Sequence, residues 1–497
     1  MPTPDSDNDP TTQARLACNS CRMRKRKCDK ALPCSQCAKR SLSCDYSRPG
    51  PLTPASESDR VWYIRPVDEE EPDIQSIDLP TVLFLDPTLL QHGQVDMSRA
   101  ALPVPAHMLH LLGNMDEMHL MASSYFENIH TWMPFISKKR FYGSHLRPSF
   151  QTQPDVVLLL LSLRLITTPP PPRPRNPRTP LYHVVKHFHL DVESSSAIST
   201  PVLQAGILLA LYEILHAIYP AAFQSIGACA RYAHALGINV SKSLNTRKPL
   251  ALVEVEERRR VWWAIVILDR FVSIGCPGRP FATADPGLDD LLPADDTAWD
   301  QGVLSSEEYI ALSSPMTIHM SKFALLCQAA RLLGQVLHHV SVDSGMDDGV
   351  CIQLERTLQS MLAAALNVDS PDNDQISFIY SALIALHIPA LGSNAHVGNI
   401  SAPQRANAAV QYITERISAN MIERQCLVGR NPEDMSPWGL YFAYHICRLH
   451  MPSRRTSSTS AEIVKSLRDT FVTMDVRWSV AGVYLELLEA QEAIGNY

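Results

Sequence analysis

The sequence predicts two unlike parts: a small module of two short helices tied together by cysteines, then a large all-α body. Three observations carry this reading. Six of the 12 cysteines fall between positions 18 and 44. From about residue 106 onward apolar residues recur at three- and four-residue spacing, while strand-like alternation is scarce. The charge is also split. Residues 1–50 hold 10 Lys and Arg against 5 Asp and Glu, net +5; the remainder holds 34 against 46, net −12, within a total of −7. A basic head on an acidic body points to an anionic partner at one end.

At 497 residues, 45% hydrophobic and 19% charged, the chain falls in the globular range. Its longest apolar run, Val156 to Ile166, contains Arg164 and is too short to span a bilayer. Met1 to Pro10 is acidic and polar, unlike a signal peptide. Twelve cysteines are too few for a disulfide scaffold, and their clustering favours metal binding in a reducing compartment.

The first element is the cluster of Cys18, Cys21, Cys28, Cys34, Cys37 and Cys44. It reads C-x2-C-x6-C twice, and each cysteine of the second triplet lies 16 residues after its counterpart. A C-x2-C pair at a helix start puts both sulfurs on one face, and the third cysteine arrives from the extended segment that follows. One tetrahedral zinc needs four ligands and would strand two cysteines, whereas two separate zincs need eight. Two zinc ions sharing two bridging thiolates need six, which matches.

Between the second and third cysteines runs Arg22-Met23-Arg24-Lys25-Arg26-Lys27, and Lys39 and Arg40 occupy the matching place in the second triplet. Such a run is usually a solvated face. Held between metal ligands on a helix, it can enter a major groove and grip phosphates. Pro33 stiffens the turn between the halves.

Residues 18–44 resemble the Zn2Cys6 binuclear-cluster domain of fungal transcription factors, through Cys21-Arg22-x-Arg24-Lys25-x-Lys27-Cys28-Asp29. The resemblance implies that Cys18 and Cys34 bridge two Zn²⁺ ions, that Cys21 and Cys28 complete one site, and that Cys37 and Cys44 complete the other. It also implies that Lys25 reads a CGG-type triplet in double-stranded DNA. Arg22, Arg24, Arg26, Lys27, Lys39 and Arg40 would be groove or phosphate contacts around it.

Ser47 to Arg60 reads as a Pro/Ser/Gly-rich linker, and Asp68 to Asp73 as a solvated acidic run. Many members of the resembled family carry a coiled coil next; here Pro66, Pro72, Pro80 and Pro87 interrupt any heptad register. The expected division is a disordered tail 1–14, the cluster domain 15–47, a linker 48–105 and a helical regulatory domain 106–497.

Within that domain Met108, Leu109, Leu112 and Met115, then Tyr125, Phe126 and Ile129, mark helical faces. Helices are expected over 155–166, 202–218, 222–237, 254–274, 305–337, 350–366, 375–391, 402–423, 436–450, 460–474 and 477–493. Pro169 to Pro180 reads as an exposed polyproline-like excursion. Glu256-Glu257-Arg258-Arg259-Arg260 before Val261-Trp262-Trp263 reads as a structural ion-pair network, with an effector site as the alternative. With Tyr125-Phe126-x-x-Ile129-His130-x-x-x-Pro134-Phe135, the stretch Glu254 to Pro293 resembles the fungal-specific transcription factor domain, or middle homology region, over about 120–300.

Enzyme signals are weak. His183-x-x-x-His187-x-His189 lacks the glutamate of the H-E-x-x-H pattern, and P-loop, G-x-S-x-G and G-x-G-x-x-G elements are absent from the sequence. Cys229, Cys276, Cys327, Cys351, Cys426 and Cys447 read as buried thiols. Six thiolates around two ions also close the coordination sphere that a zinc enzyme would keep open. The family resemblance implies a nuclear, RNA polymerase II-type, sequence-specific regulator. Its expected partners are double-stranded DNA, coregulators, a homodimeric copy through the helical region and a small metabolite, with no membrane. Such chains often regulate one pathway, commonly secondary metabolism. The rival reading is a zinc-stabilised interaction module without specific DNA contacts.

Overall fold

A computed structural model describes residues 17–31, 33–40, 44, 46, 85, 102–147, 153–172, 176–195, 198–238, 251–305, 310–314, 320–341, 348–367, 372–392, 404, 406–415, 432 and 436–494. The chain divides into two compact units, Met1–Asp73 and Ile74–Tyr497. The expected linker, acidic run and interrupted heptad segment lie almost wholly outside the described residues. Among the described residues, extended pairing amounts to one isolated antiparallel bridge, Leu291 to Ala311.

The first unit holds α1 (Asn19–Met23) and α2 (Ser35–Ala38). Cys18 and Cys34 occupy the extended N-cap positions, with φ/ψ of −60°/155° and −65°/149°. Each C-x2-C pair therefore straddles a helix start, as the spacing predicts. The core consists of the buried Cys18, Cys21, Cys34 and Cys37, with Cys28, Cys44 and Tyr46 against them. So small a core cannot stabilise a fold by apolar burial alone.

The second unit is all-helical. Its elements are α3 (Ala106–Leu112), α4 (Met115–Ser124), α5 (Pro154–Thr167), α6 (Pro180–Ser194), α7 (Thr200–Leu215), α8 (Ala221–Ala235), α9 (Leu252–Ser273) and α10 (Asp296–Gln301). They continue through α11 (Lys322–Ser341), α12 (Asp348–Leu366), α13 (Asn373–Gly392), α14 (Leu440–His450), α15 (Ser458–Asp475) and α16 (Ser479–Ala493). Neighbours in sequence are mostly neighbours in space: α7 packs on α5, α6, α8 and α9, α9 on α11, α11 on α13, and α14 to α16 on one another. α7 is buried at every position from Val202 to Leu215, which explains its near-continuous apolar sequence. Its Ser199 cap accepts the Val202 N–H, and Pro201 sits in its first turn, where a missing N–H costs nothing.

Thr168, directly before Pro169, is extended (φ −73°, ψ 124°) and ends α5, as the following ring requires. Thr168, Pro169, Pro171 and Pro172 are exposed, in keeping with the expected excursion.

The Arg cluster at the start of α9 is a buried network. Glu256 accepts from Arg260 Nε at 2.9 Å, from the Ala294 N–H at 2.8 Å and from Arg259. Arg260 is 0% exposed, pairs with Asp296 at 2.8 Å and lies over the Trp299 ring at 4.8 Å. Glu257 pairs with Arg140 and accepts from the Ser137 N–H and Gln204 Nε2, both at 2.9 Å.

Two expectations need correction. The helix expected over 305–337 begins only at Lys322 and runs on to Ser341. The backbone at 310–312 pairs instead with 290–292, with the Leu292 N–H donating to Ile310 O at 2.8 Å and the Leu312 N–H to Asp290 O at 2.9 Å. Of the thiols expected to be buried, Cys229, Cys327 and Cys447 are, but Cys351 is half-buried and Cys276 is exposed in the turn after α9. Cys426 and residues 416–423 lie outside the described residues; 406–415 are helical.

Candidate metal centre and nucleic-acid interface

The six cysteines converge although they span 27 residues of chain. Two overlapping quartets form, Cys18–Cys21–Cys28–Cys34 and Cys18–Cys34–Cys37–Cys44, and within each the sulfurs lie within 4.8 Å of one another. Cys18 Sγ is 3.8 Å from Cys34, 3.7 Å from Cys37 and 3.9 Å from Cys28, and Cys21 Sγ is 3.6 Å from Cys34. A tetrahedral zinc with bonds of about 2.3 Å places its sulfurs about 3.8 Å apart. A disulfide needs about 2.05 Å. The donor set therefore fits two ions with Cys18 and Cys34 in both quartets.

Backbone donors face the sulfurs: the Cys34 N–H reaches Cys44 Sγ at 3.2 Å, and the Lys30 N–H reaches Cys28 Sγ at 3.4 Å. Burial first pushes the Cys18 and Cys21 thiols up, and Cys37 up to about 12. Cys28 is lowered to about 6, first by its hydrogen bond with Tyr46.

The cation run does not lie on a helix as expected. α1 stops at Met23 because an uninterrupted helix would carry Cys28 about 10 Å along its axis from Cys21. The stop is a Schellman turn: the Lys25 N–H donates to Arg22 O at 3.2 Å, and the Arg26 N–H to Cys21 O at 2.9 Å. Lys25 takes the left-handed position of that turn (φ 48°), which glycine usually fills. Only Arg22 sits on α1, where its Nη2 donates to Asn19 Oδ1 at 3.1 Å. Arg22, Arg24, Lys25, Arg26, Lys27, Lys39 and Arg40 are all exposed.

Two residues that the spacing argument missed tie the halves together. Asp29 accepts the Ser35 N–H at the start of α2 at 3.0 Å, and hydrogen bonding from the Ser35 side chain first, then from that N–H, holds its carboxyl below the usual range. Tyr46 donates to Ala31 O at 2.9 Å and lies 3.4 Å from Cys28 Sγ. Asp29 was inside the recognised motif, and Tyr46 stands two residues past the last cysteine. Among the described residues no metal-capable group contains a histidine; His183 and His187 are exposed and His189 is half-buried.

Residues 16–51 match the fungal Zn(2)-Cys(6) binuclear cluster domain, and residues 122–383, more than half the chain, match the fungal specific transcription factor domain. The chain belongs to the fungal Zn(2)-Cys(6) transcription factors. That family's cluster domain binds two zinc ions and DNA, and the six cysteines here are positioned for a binuclear cluster. Among similar proteins, the transcription factor BOA15 of Botryotinia fuckeliana is 36% identical over 26% of this chain and 72% of its own. The pigment biosynthesis transcriptional activator pigB of Monascus ruber is 26% identical over 43% of this chain and 41% of its own. The citrinin biosynthesis transcriptional activator ctnR of Monascus purpureus is 29% identical over 30% of this chain and 27% of its own. The matches thus span less than half of two of these three relatives.

Proposed function

We propose that Cys18, Cys21, Cys28, Cys34, Cys37 and Cys44 hold two zinc ions, with Cys18 and Cys34 bridging, and that this centre presents a DNA-reading surface in the nucleus. The observation that carries the reading is the pair of sulfur quartets sharing two members, flanked by an exposed cation row. Zinc supplies the cross-links that the small core lacks. Lys25 reads a CGG-type triplet, while Arg22, Arg24, Arg26, Lys27, Lys39 and Arg40 set position and affinity through groove and phosphate contacts. On this reading the cluster domain is 15–47, the linker 48–105 and the regulatory body 106–497. The body binds coregulators and self-associates. The regulated genes form one pathway, of secondary metabolism, a reading supported by relatives named for pigment and citrinin biosynthesis.

Genome-wide occupancy mapping tests the proposal. CGG-type triplets should be enriched under peaks that cluster at one set of biosynthetic genes. Peaks without a shared triplet would leave a zinc-stabilised module that does not read sequence.

A further inference from the structure

The 16-residue repeat sets Cys28 against Cys44 and Lys30 against Tyr46, so the two metal half-sites are equivalent in their ligands but not in what surrounds them. Tyr46 follows the second triplet, yet its hydroxyl crosses to the first: it lies 3.4 Å from Cys28 Sγ, 18 residues away, and 2.9 Å from Ala31 O, either of which can take its one hydrogen. Its counterpart Lys30 approaches Cys28 only through its backbone N–H, at 3.4 Å. On the other side, Cys44 Sγ accepts the Cys34 N–H at 3.2 Å and interacts with the same hydroxyl less strongly than Cys28 does.

A metal-bound thiolate can only accept hydrogen bonds. Cys28 then accepts from the Lys30 N–H, and the Tyr46 phenol, with one hydrogen for two acceptors, gives it to the charged sulfur in preference to Ala31 O. Such outer-shell bonds fix the ligand's direction and tune its hold on the metal. Cys28 and Cys44 are half-buried, unlike Cys18, Cys21, Cys34 and Cys37, so both are ligands that water can reach. The Tyr46 ring packs against the cysteine cluster, and its hydroxyl lies 3.4 Å from Cys28 Sγ.

We propose that Tyr46 is a positioning residue that secures Cys28 through its hydroxyl and so ranks the two zinc sites, the Cys21/Cys28 site holding its ion longer than the Cys37/Cys44 site. This rests on the binuclear reading above. Two metal equivalents per wild-type chain, measured first, test that reading separately.

The experiment uses full-length protein and its Tyr46→Phe variant, which keeps the ring and removes the hydroxyl. In wild-type protein, transfer of zinc to a chromogenic chelator should show two phases of one equivalent each. In Tyr46→Phe the slower phase should accelerate roughly tenfold, the low end of the effect of an outer-shell partner, while the faster phase changes much less. With ¹¹³Cd in place of zinc, one of the two resonances should move markedly further than the other. Where Tyr46→Phe lowers the folded yield, 3-fluorotyrosine at position 46 gives a stronger donor of nearly the same shape and should move the same resonance the opposite way. Unchanged phases and resonances would overturn the proposal, because the hydroxyl would then do nothing at the metal. Equal acceleration of both phases would overturn it too, leaving Tyr46 as general packing for the unit.

Discussion

At Lys25 backbone and side chain have separable roles. Its left-handed φ of 48° ends α1 and turns the chain back toward Cys28, and its exposed ammonium is the proposed reader of the triplet. Lys25→Ala should cost about 1–3 kcal/mol of specific affinity and relax the preference at the triplet. Lys25→Gly should lose the same specificity yet tighten zinc retention, since glycine relieves roughly 1 kcal/mol of backbone strain. Duplex titrations by fluorescence anisotropy, alongside zinc content, separate the two; unchanged sequence preference in both variants would remove Lys25 from the reading surface. The shared sulfurs lead to a second expectation. Cys18→Ser should lose both zinc ions, because Cys18 belongs to both quartets, whereas Cys21→Ser should mainly disturb one. Elemental analysis of the purified chains decides it, and equal losses would argue against bridging. The six cysteines were legible because ligand count and the 16-residue repeat constrain each other. Tyr46 and the Asp29 bond to Ser35 were not, since a tyrosine or aspartate in a loop carries no spacing signal and its partner is set only once the chain folds back.

At the scale of elements, α9 shows why the Arg cluster reads correctly as structural. Arg260 is sealed from water with Glu256 on one side and Asp296 on the other, so Arg260→Ala leaves both carboxylates short of a partner. The expected loss is about 3–5 kcal/mol, read as a lower urea midpoint. Arg454→Ala, at a quarter-exposed pair with Glu492, should cost no more than about 1 kcal/mol. Comparable losses in both would mean that burial is not what gives the α9 network its weight. Three half-buried histidines on other elements give a pH dependence. Burial first, then Arg140, Lys186 and Arg448 respectively, pushes His145 and His189 down to about 4 and His445 to about 3. The unfolded chain takes up these protons near pH 6.5, and the folded chain does not. Their contribution is therefore complete above pH 6.5 and lost as pH falls toward 4, by up to about 2 kcal/mol per histidine at pH 5. His445→Gln should flatten the change in urea midpoint between pH 7 and pH 5; an unaltered slope would exclude His445 as a source. Helix existence was legible from periodicity except at α6 (Pro180–Ser194), which the expected helices omit, and helix ends were much less so. The start of α11 escaped notice because the apolar spacing before Lys322 looks helical while its backbone serves the bridge to Leu291.

For the whole molecule, the charge split places +5 on residues 1–50 and −12 on the rest, so affinity for DNA originates in the head. One cluster module buries about 600–1,000 Å², too little for tight specific binding alone. Residues 1–100 should scatter light as a monomer and bind a single triplet weakly. Full-length chain should gain affinity to the extent that its helical body pairs two heads on one duplex. A stable dimer of residues 1–100 would reveal an association element that the proline-interrupted sequence conceals. The exposed cation row has a consequence of another kind. Arg24, Lys25, Arg26 and Lys27 are all exposed, and of these four only Lys25 takes a left-handed φ. If these residues read DNA as proposed, substitutions there redirect the protein to new promoters without unseating the metal. A lineage can therefore rewire which genes it controls while inheriting the same scaffold, and the residues that record that history are the ones the fold leaves free.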